Sequence, residues 1–385
     1  MADQPIRLYD LTIARETMAE VRDTLKSTWL SSGPRVKQLE QEIARRCAVR
    51  YSAAVNSCTN GLLLTLQALG LDSTAEIITT PFSFVATAEA IMHAGANPVF
   101  ADIDPISLTI DPEEVARKVT PRTRGIIPVD IAGQPAEYDR LKKVAEHFTL
   151  PIISDAAHSF GAKYRRKSVA KVADAAVFSF HATKNLTCGE GGMVVSPHKA
   201  LVERVKLLRT HGLTRDAHTR HQQASWQYDV IAPGRKANMS DIHAAVGLGQ
   251  LNLFDKQQEK RAKLAERYRH NLADLEEYIG LPSPPRYVSH AWHLFIIRVN
   301  TDALTIDRDR FIEEMRGRGV ECGVHYIPLF DLSLFQQFGL QEQIFPNTAY
   351  AGRRVVTLPL YPSLKLTQVD RVCEAIREIV ISAAR

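Results

Sequence analysis

Six short apolar runs follow one another through residues 77–80, 98–103, 125–129, 152–155, 175–180 and 193–196. Runs this short and this apolar read as buried strands. Stretches at helical spacing flank them: Val36, Leu39 and Ile43 make one stripe, and Ile242, Ala245, Val246, Gly249 and Leu253 make another. The alternation predicts an α/β fold around a mixed, mostly parallel sheet. The charged run 255–269 extends the second stripe into a long connecting helix, which puts a domain boundary near residue 250. The chain then divides into a large domain, 1–250, and a smaller C-terminal α+β domain, 251–385. Within the latter, Pro282 to Pro285 punctuate a linker, 290–299 and 320–326 read as strands, and 369–384 reads as a closing helix.

Sheets of this kind bind ligands where their strands end. Asp155 closes the run 152–155, and Lys184 lies just beyond the run 175–180, ahead of the glycine-rich turn from Gly189 to Gly192. A lysine so placed suits a Schiff base with a carbonyl, and pyridoxal phosphate chemistry also needs an acid opposite the pyridine nitrogen. The interval of 29 residues, 184 minus 155, leaves room for one strand between the two. Each residue alone has an ordinary reading, as a solvated lysine and as a capping or turn-forming aspartate. Residues 53–61 add weight, because a small apolar strand gives way there to Ser57, Cys58, Thr59 and Asn60 before the apolar run 62–69. Free N–H groups and the dipole of a helix N-terminus suit a phosphate. A plain helix cap by Ser57, Thr59 or Asn60 fits the same residues.

With 385 residues, 45% hydrophobic and 24% charged, the chain can bury the cores of about two domains. Cys47, Cys58, Cys188, Cys322 and Cys373 are widely spaced, so neither a disulfide framework nor a metal site is indicated, and a cytoplasmic location suits them. No run approaches the ~20 apolar residues that span a bilayer, and no membrane partner is expected. The net charge of +5 suits nucleic acid or an anionic nucleotide diphosphate and decides nothing alone. The run 204–221 holds Arg204, Lys206, Arg209, Arg215 and Arg220 with His211, His218 and His221, most of which reads as a solvated helix and loop.

Seven segments, 29–34, 80–87, 129–135, 154–158, 179–192, 239–245 and 324–328, follow in an order that resembles the DegT/DnrJ/StrS-type sugar-nucleotide aminotransferases. These are pyridoxal phosphate (PLP) enzymes of fold type I, and the likeness covers nearly the whole chain. It implies pyridoxal 5'-phosphate as cofactor, with pyridoxamine phosphate as intermediate. Lys184 would then hold the cofactor and move the proton, Asp155 would pair with the ring nitrogen, and Phe84 would stack on the ring. His158 would donate to the ring hydroxyl oxygen, although a core histidine is the ordinary reading. Cys58, Thr59 and Asn60, with Ser179, would hold the phosphate, and Lys236 would reach it across a homodimer. Ser32 and Gly33 of the entry loop would contact substrate, as would His325 and Tyr326, for which a strand-end core contact is equally open. Part of the segment from Arg209 to Gly212 would contact a diphosphate. No nucleic-acid partner is expected.

The implied reaction moves an amino group from an amino acid, L-glutamate, to a nucleotide-diphosphate-linked keto sugar, a 4-keto-6-deoxy sugar, for surface polysaccharide, glycan or antibiotic biosynthesis. Three alternatives stand beside it: a 3-keto sugar acceptor, a PLP-dependent sugar dehydratase and a non-enzymatic PLP-binding regulator. Dehydratase relatives carry histidine in place of the lysine, so Lys184 speaks against the second, and no extra helix-turn-helix segment supports the third. The chain also departs from the family pattern. Asp130 stands for a common histidine, Phe330 for another, and the aromatics that usually flank Lys236 are missing. Asp130 and Phe330 are expected to touch the sugar pocket.

Overall fold

The computed structural model describes residues 4–215 and 226–385, so His218, Arg220 and His221 lie outside the described residues. The six apolar runs all form strands. The large sheet contains β1 (Tyr51–Val55), β2 (Glu76–Thr79), β3 (Asn97–Phe100), β4 (Thr123–Ile126) and β5 (Ile153–Asp155), and later β8 (Ala175–Ser179) and β9 (Gly192–Ser196). Four strands lie in the order β1-β9-β8-β5 and three in the order β3-β2-β4. Parallel bridges from Ile126 to Ile152 and from Val129 to Asp155 join the two groups edge to edge. Strand β9 is antiparallel to both neighbours, and every other pairing is parallel. β2, β5, β8 and β9 are buried along their whole length because helices cover both faces.

A small hairpin of β6 (Lys163–Tyr164) and β7 (Lys167–Ser168) follows β5 and pairs with β11 (Val288–Ser289). The C-terminal part builds an antiparallel sheet from β10 (Ile279–Gly280), β12 (Phe295–Val299) and β13 (Val355–Leu358), packed with the helices Arg308–Gly317 and Leu366–Ala383. The helical stripe and the charged run that follows it are one helix, Asp241–Asn271, and residue 250 lies inside it. Along this helix the apolar packing changes over: residues up to Phe254 join the core of the large sheet, while Leu264, Ala265 and Tyr268 join the C-terminal core, together with Ile6.

Two sequence expectations fail here. Residues 320–326 form no strand, since Val320 makes one bridge to Ile6 and Gly323 one to Thr357. A segment that passes between two partners builds no ladder with either. Residues 290–294 stay outside β12, because Trp292 takes a left-handed φ of 47° that a strand cannot accommodate. Among the described residues no helix is long and apolar enough to cross a membrane.

Candidate active site

At the carboxyl ends of β5 and β8 lies a cavity of about 460 Å3. Cys58, Thr59, Phe84, Asp155, His158, Ser179, Lys184, His325 and Tyr326 all line it. The strand pattern explains the convergence. Asp155 ends β5 opposite Val177 of β8, and Ser179 of β8 is paired with Gly192 of β9. The loop between β8 and β9 is closed by Phe180 N–H to Gly191 O at 2.9 Å and Cys188 N–H to Phe180 O at 2.8 Å, and it carries Lys184. Gly192 lets the helix Cys58–Ala68 start against this loop, since a Cβ there would come within 2.7 Å of the Cys58 nitrogen.

The first turn of that helix is partly capped. Ser57 Oγ accepts the Asn60 N–H at 3.1 Å. The N–H groups of Cys58 and Thr59 have no intrahelical acceptor, and both residues line the cavity. Asn60 does not line it, because its side chain turns back to Asn56 Oδ1 at 2.8 Å.

Asp155 is buried, and burial pushes its carboxyl toward the neutral form, while Thr87, Ala157 N–H and Lys184 act the other way. Thr87 Oγ1 donates to Oδ2 at 2.7 Å, and the Ala157 N–H donates to Oδ1 at 3.2 Å. Burial pulls the Lys184 ammonium down to about 8, against the opposing pull of Cys58 and Asp155. An amine so shifted is available as a nucleophile and base near neutral pH. His158 is held neutral by burial, with Lys184 and His325 adding to the effect. Its Nδ1 accepts the Ala132 N–H at 3.2 Å and its Nε2 lies 3.0 Å from the Tyr326 hydroxyl. His325 is pushed down to about 4, chiefly by burial, and its Nδ1 lies 2.8 Å from Thr357 Oγ1. Phe84 is 56% exposed at the mouth, its ring 5.9 Å from that of Tyr326.

Other expected residues lie elsewhere. Ser32 and Gly33 line a separate cavity of about 310 Å3 with Lys37, Glu40 and Arg209. The Gly33 N–H donates to Asp241 Oδ1 at 2.8 Å, which ties the entry loop to the start of the long helix. Lys236 is exposed and bridged to Thr210, outside the Lys184 cavity of its own chain. Asp130 does not touch the cavity. It is fully buried, where Ser159, Ser154, Tyr138 and the Ala136 N–H converge on its carboxyl, and burial raises it to about 6. Phe330 is also buried, packed with Phe345 and Leu329. Arg209 turns inward to Glu40 and to Ala54 O, at 2.6 Å from the latter, so it is a core cation and not a diphosphate contact.

Sequence reasoning passed over Thr87, Tyr9 and His293, which also line the cavity. Thr87 stood inside the segment read for Phe84, three residues on, which is one helical turn. Nothing in the N-terminal sequence singled out Tyr9, and His293 was absorbed into an expected strand.

The pattern of the DegT/DnrJ/EryC1/StrS aminotransferase family matches residues 11–377. The chain belongs to this family. This aminotransferase is 40% identical to the spore coat polysaccharide biosynthesis protein SpsC of Bacillus subtilis, over 96% of each chain. It shares 30% identity and a TM-score of 0.91 with the sugar aminotransferase Spr1654 of Streptococcus pneumoniae in its PMP form, covering 99% of this chain and 100% of that one. It shares 31% identity and a TM-score of 0.88 with DesI solved in the presence of its TDP-sugar product, covering 98% and 93%. The fold is therefore that of PLP fold type I, and the protein is a PLP-dependent aminotransferase. Its cavity fits the cofactor on its own terms. It offers a helix N-terminus for a phosphate, a buried carboxylate with no ion pair within 4 Å among the described residues, and a buried amine.

Proposed function

We propose that this aminotransferase takes the amino group of L-glutamate and places it on the keto carbon of a nucleotide-diphosphate-linked sugar, a 4-keto-6-deoxy sugar. The observation that carries the reading is the meeting of the Lys184 amine, the Asp155 carboxylate and the helix start at Cys58 in one cavity. A nucleotide-linked sugar is supported by the likeness to DesI, solved with its TDP-sugar product, and a role in surface polysaccharide by the likeness to SpsC.

Each residue then has a task. The N–H groups of Cys58 and Thr59, with Ser179, would hold the phosphate. Asp155, ionised, would keep a proton on the ring nitrogen. His158 would give its Nε2–H to the ring oxygen in exchange for the Tyr326 hydroxyl that lies 3.0 Å from it, and Phe84 would close one face. When bound, pyridoxal phosphate supplies the aldehyde that carries the amino group and the ring that stores the electron pair. Lys184 Nζ takes the proton from the α-carbon of the amino acid, and in the second half-reaction it returns a proton to the sugar carbon that receives nitrogen. His325 and Tyr326 line the sugar side. Lys236, Ser32 and Gly33 lie outside the Lys184 cavity of their own chain, which supports a homodimer in which they serve the cavity of a second copy. Five free cysteines suit a cytoplasmic enzyme.

The test is the visible absorbance of the protein with pyridoxal phosphate, before and after glutamate, then with a panel of nucleotide-linked 4-keto and 3-keto sugars. A band that bleaches with glutamate and returns with one 4-keto sugar is expected. Return only with a 3-keto sugar would reject the acceptor proposed, and no band at all would reject the site.

A further inference from the structure

We propose that a hydroxyl relay from Ser83 through Thr87 orients the Asp155 carboxylate against the cofactor nitrogen, with Thr87 as the positioning residue. The proposal rests on the role given to Asp155 above and adds two residues that no part of that role requires.

The proton count gives the relay one direction. Thr87 Oγ1 lies 2.7 Å from Asp155 Oδ2 and 2.7 Å from Ser83 Oγ. An ionised carboxylate only accepts, so the single hydroxyl proton of Thr87 goes to Oδ2 and the proton of Ser83 goes to Thr87. All three side chains are buried, with Ser83 at 3%, Thr87 at 1% and Asp155 at 6% exposure. A chain of hydroxyls that all donate in one sense polarises toward its charged end.

The opposite oxygen is pinned separately. Oδ1 accepts the Ala157 N–H at 3.2 Å, and Cys58 Sγ lies 3.9 Å away. Rotation of the carboxylate about its last bond would break the Thr87 and Ala157 bonds together, so the pair holds its plane. No Arg, Lys or His lies within 4 Å of this carboxylate as an ion-pair partner among the described residues. A carboxylate buried without a cation drifts to its neutral form. Among the described residues Thr87 is the one hydroxyl that opposes that drift at hydrogen-bond distance. Its backbone sits in the first turn of the helix Val85–His93, directly after Phe84, so the same turn delivers the ring at the cavity mouth and the hydroxyl behind the carboxylate.

The experiment compares wild type with Thr87→Val, Thr87→Ser and Ser83→Ala as purified proteins loaded with pyridoxal phosphate. Three quantities are read: the cofactor dissociation constant, the pH midpoint of the visible band and the thermal midpoint of the cofactor-free protein. A hydrogen bond to a charged group predicts roughly ten- to hundredfold weaker cofactor binding in Thr87→Val. Its band midpoint should move to higher pH, since a ring nitrogen that loses its proton withdraws less from the Lys184 nitrogen. Thr87→Ser should restore both quantities, and Ser83→Ala should give a smaller loss in the same direction. A folded Thr87→Val with wild-type binding and midpoint overturns the relay. Should that variant fail to fold, Ser83→Ala with unchanged binding and midpoint overturns it equally. If wild type itself shows no band, the role of Asp155 falls and the relay with it; a normal wild-type band beside an unaffected Thr87→Val removes the relay alone.

Discussion

The hydroxyl of Tyr326 lies 3.0 Å from Nε2 of His158, a residue 168 positions away in the chain. The Ala132 N–H already occupies Nδ1 at 3.2 Å, so the neutral imidazole carries its proton on Nε2 and donates it to the tyrosine oxygen. The phenol proton is then left to point into the cavity. This contact ties the C-terminal part of the chain to the large sheet beside Asp155. A neutral hydrogen bond contributes about 1 kcal/mol. Tyr326→Phe should lose that much unfolding free energy while retaining cofactor, as measured by denaturant unfolding and visible absorbance; an unchanged unfolding midpoint would show that the pair adds nothing.

Lys184→Ala should keep the fold and lose transamination, by at least roughly a hundredfold if the amine is the proton carrier. Asp155→Asn should take up cofactor only at higher concentration, binding it at least as weakly as Thr87→Val, and lose most activity, because an amide cannot stabilise a protonated ring nitrogen. Single-turnover rates with glutamate check both, with circular dichroism to confirm folding. Wild-type turnover in either variant removes that residue from its role.

The Lys184 ammonium, held near 8 by burial, sets the pH dependence of cofactor capture. Only the neutral amine attacks an aldehyde. Below its midpoint the neutral fraction rises about tenfold per pH unit, so reconstitution of cofactor-free protein should quicken from pH 6 to 8 and level off above about 9. Stopped-flow absorbance tests this. A rate still climbing tenfold per unit at pH 9.5 would mark an ordinary, solvated lysine.

Asp130 makes the opposite kind of prediction, about stability. Its folded value near 6 lies above the ordinary 3.8, so the folded state holds this proton more tightly than the unfolded chain. The resulting stability is fully present below about pH 4 and is lost as pH rises through 6, by about 3 kcal/mol. Asp130→Asn keeps the partners and removes the titration. The stability difference between variant and wild type should therefore grow in favour of the variant from pH 4 to pH 7 and stay level above. A difference independent of pH would place the carboxyl in its ionised form throughout.

The strands and the main chemistry were legible in the sequence for a local reason. β2, β5, β8 and β9 are buried along their whole length, so each lies in or beside a short apolar run of the sequence, and polar residues such as Thr79, Asp155, Ser179 and Ser196 mark their ends. Asp155 and Lys184 stand next to those endings, and Ser57 caps a helix with an ordinary capping residue. The resemblance carried by seven ordered segments supplied what periodicity alone does not, the cofactor.

What the sequence by itself determined is thus the order of elements, the strand ends and the residue types brought to them. The tertiary structure alone decided which side chains share a space. It turned Asp130 and Arg209 into the core, placed Ser32 and Gly33 in a second cavity and set Thr87 behind Asp155, 68 residues away. The physical reason is the source of the partners. Periodicity reports which face of an element is buried, but the group opposite that face comes from a strand or helix far along the chain, and only the pairing of β5 with β8 and of β8 with β9 fixes which one arrives.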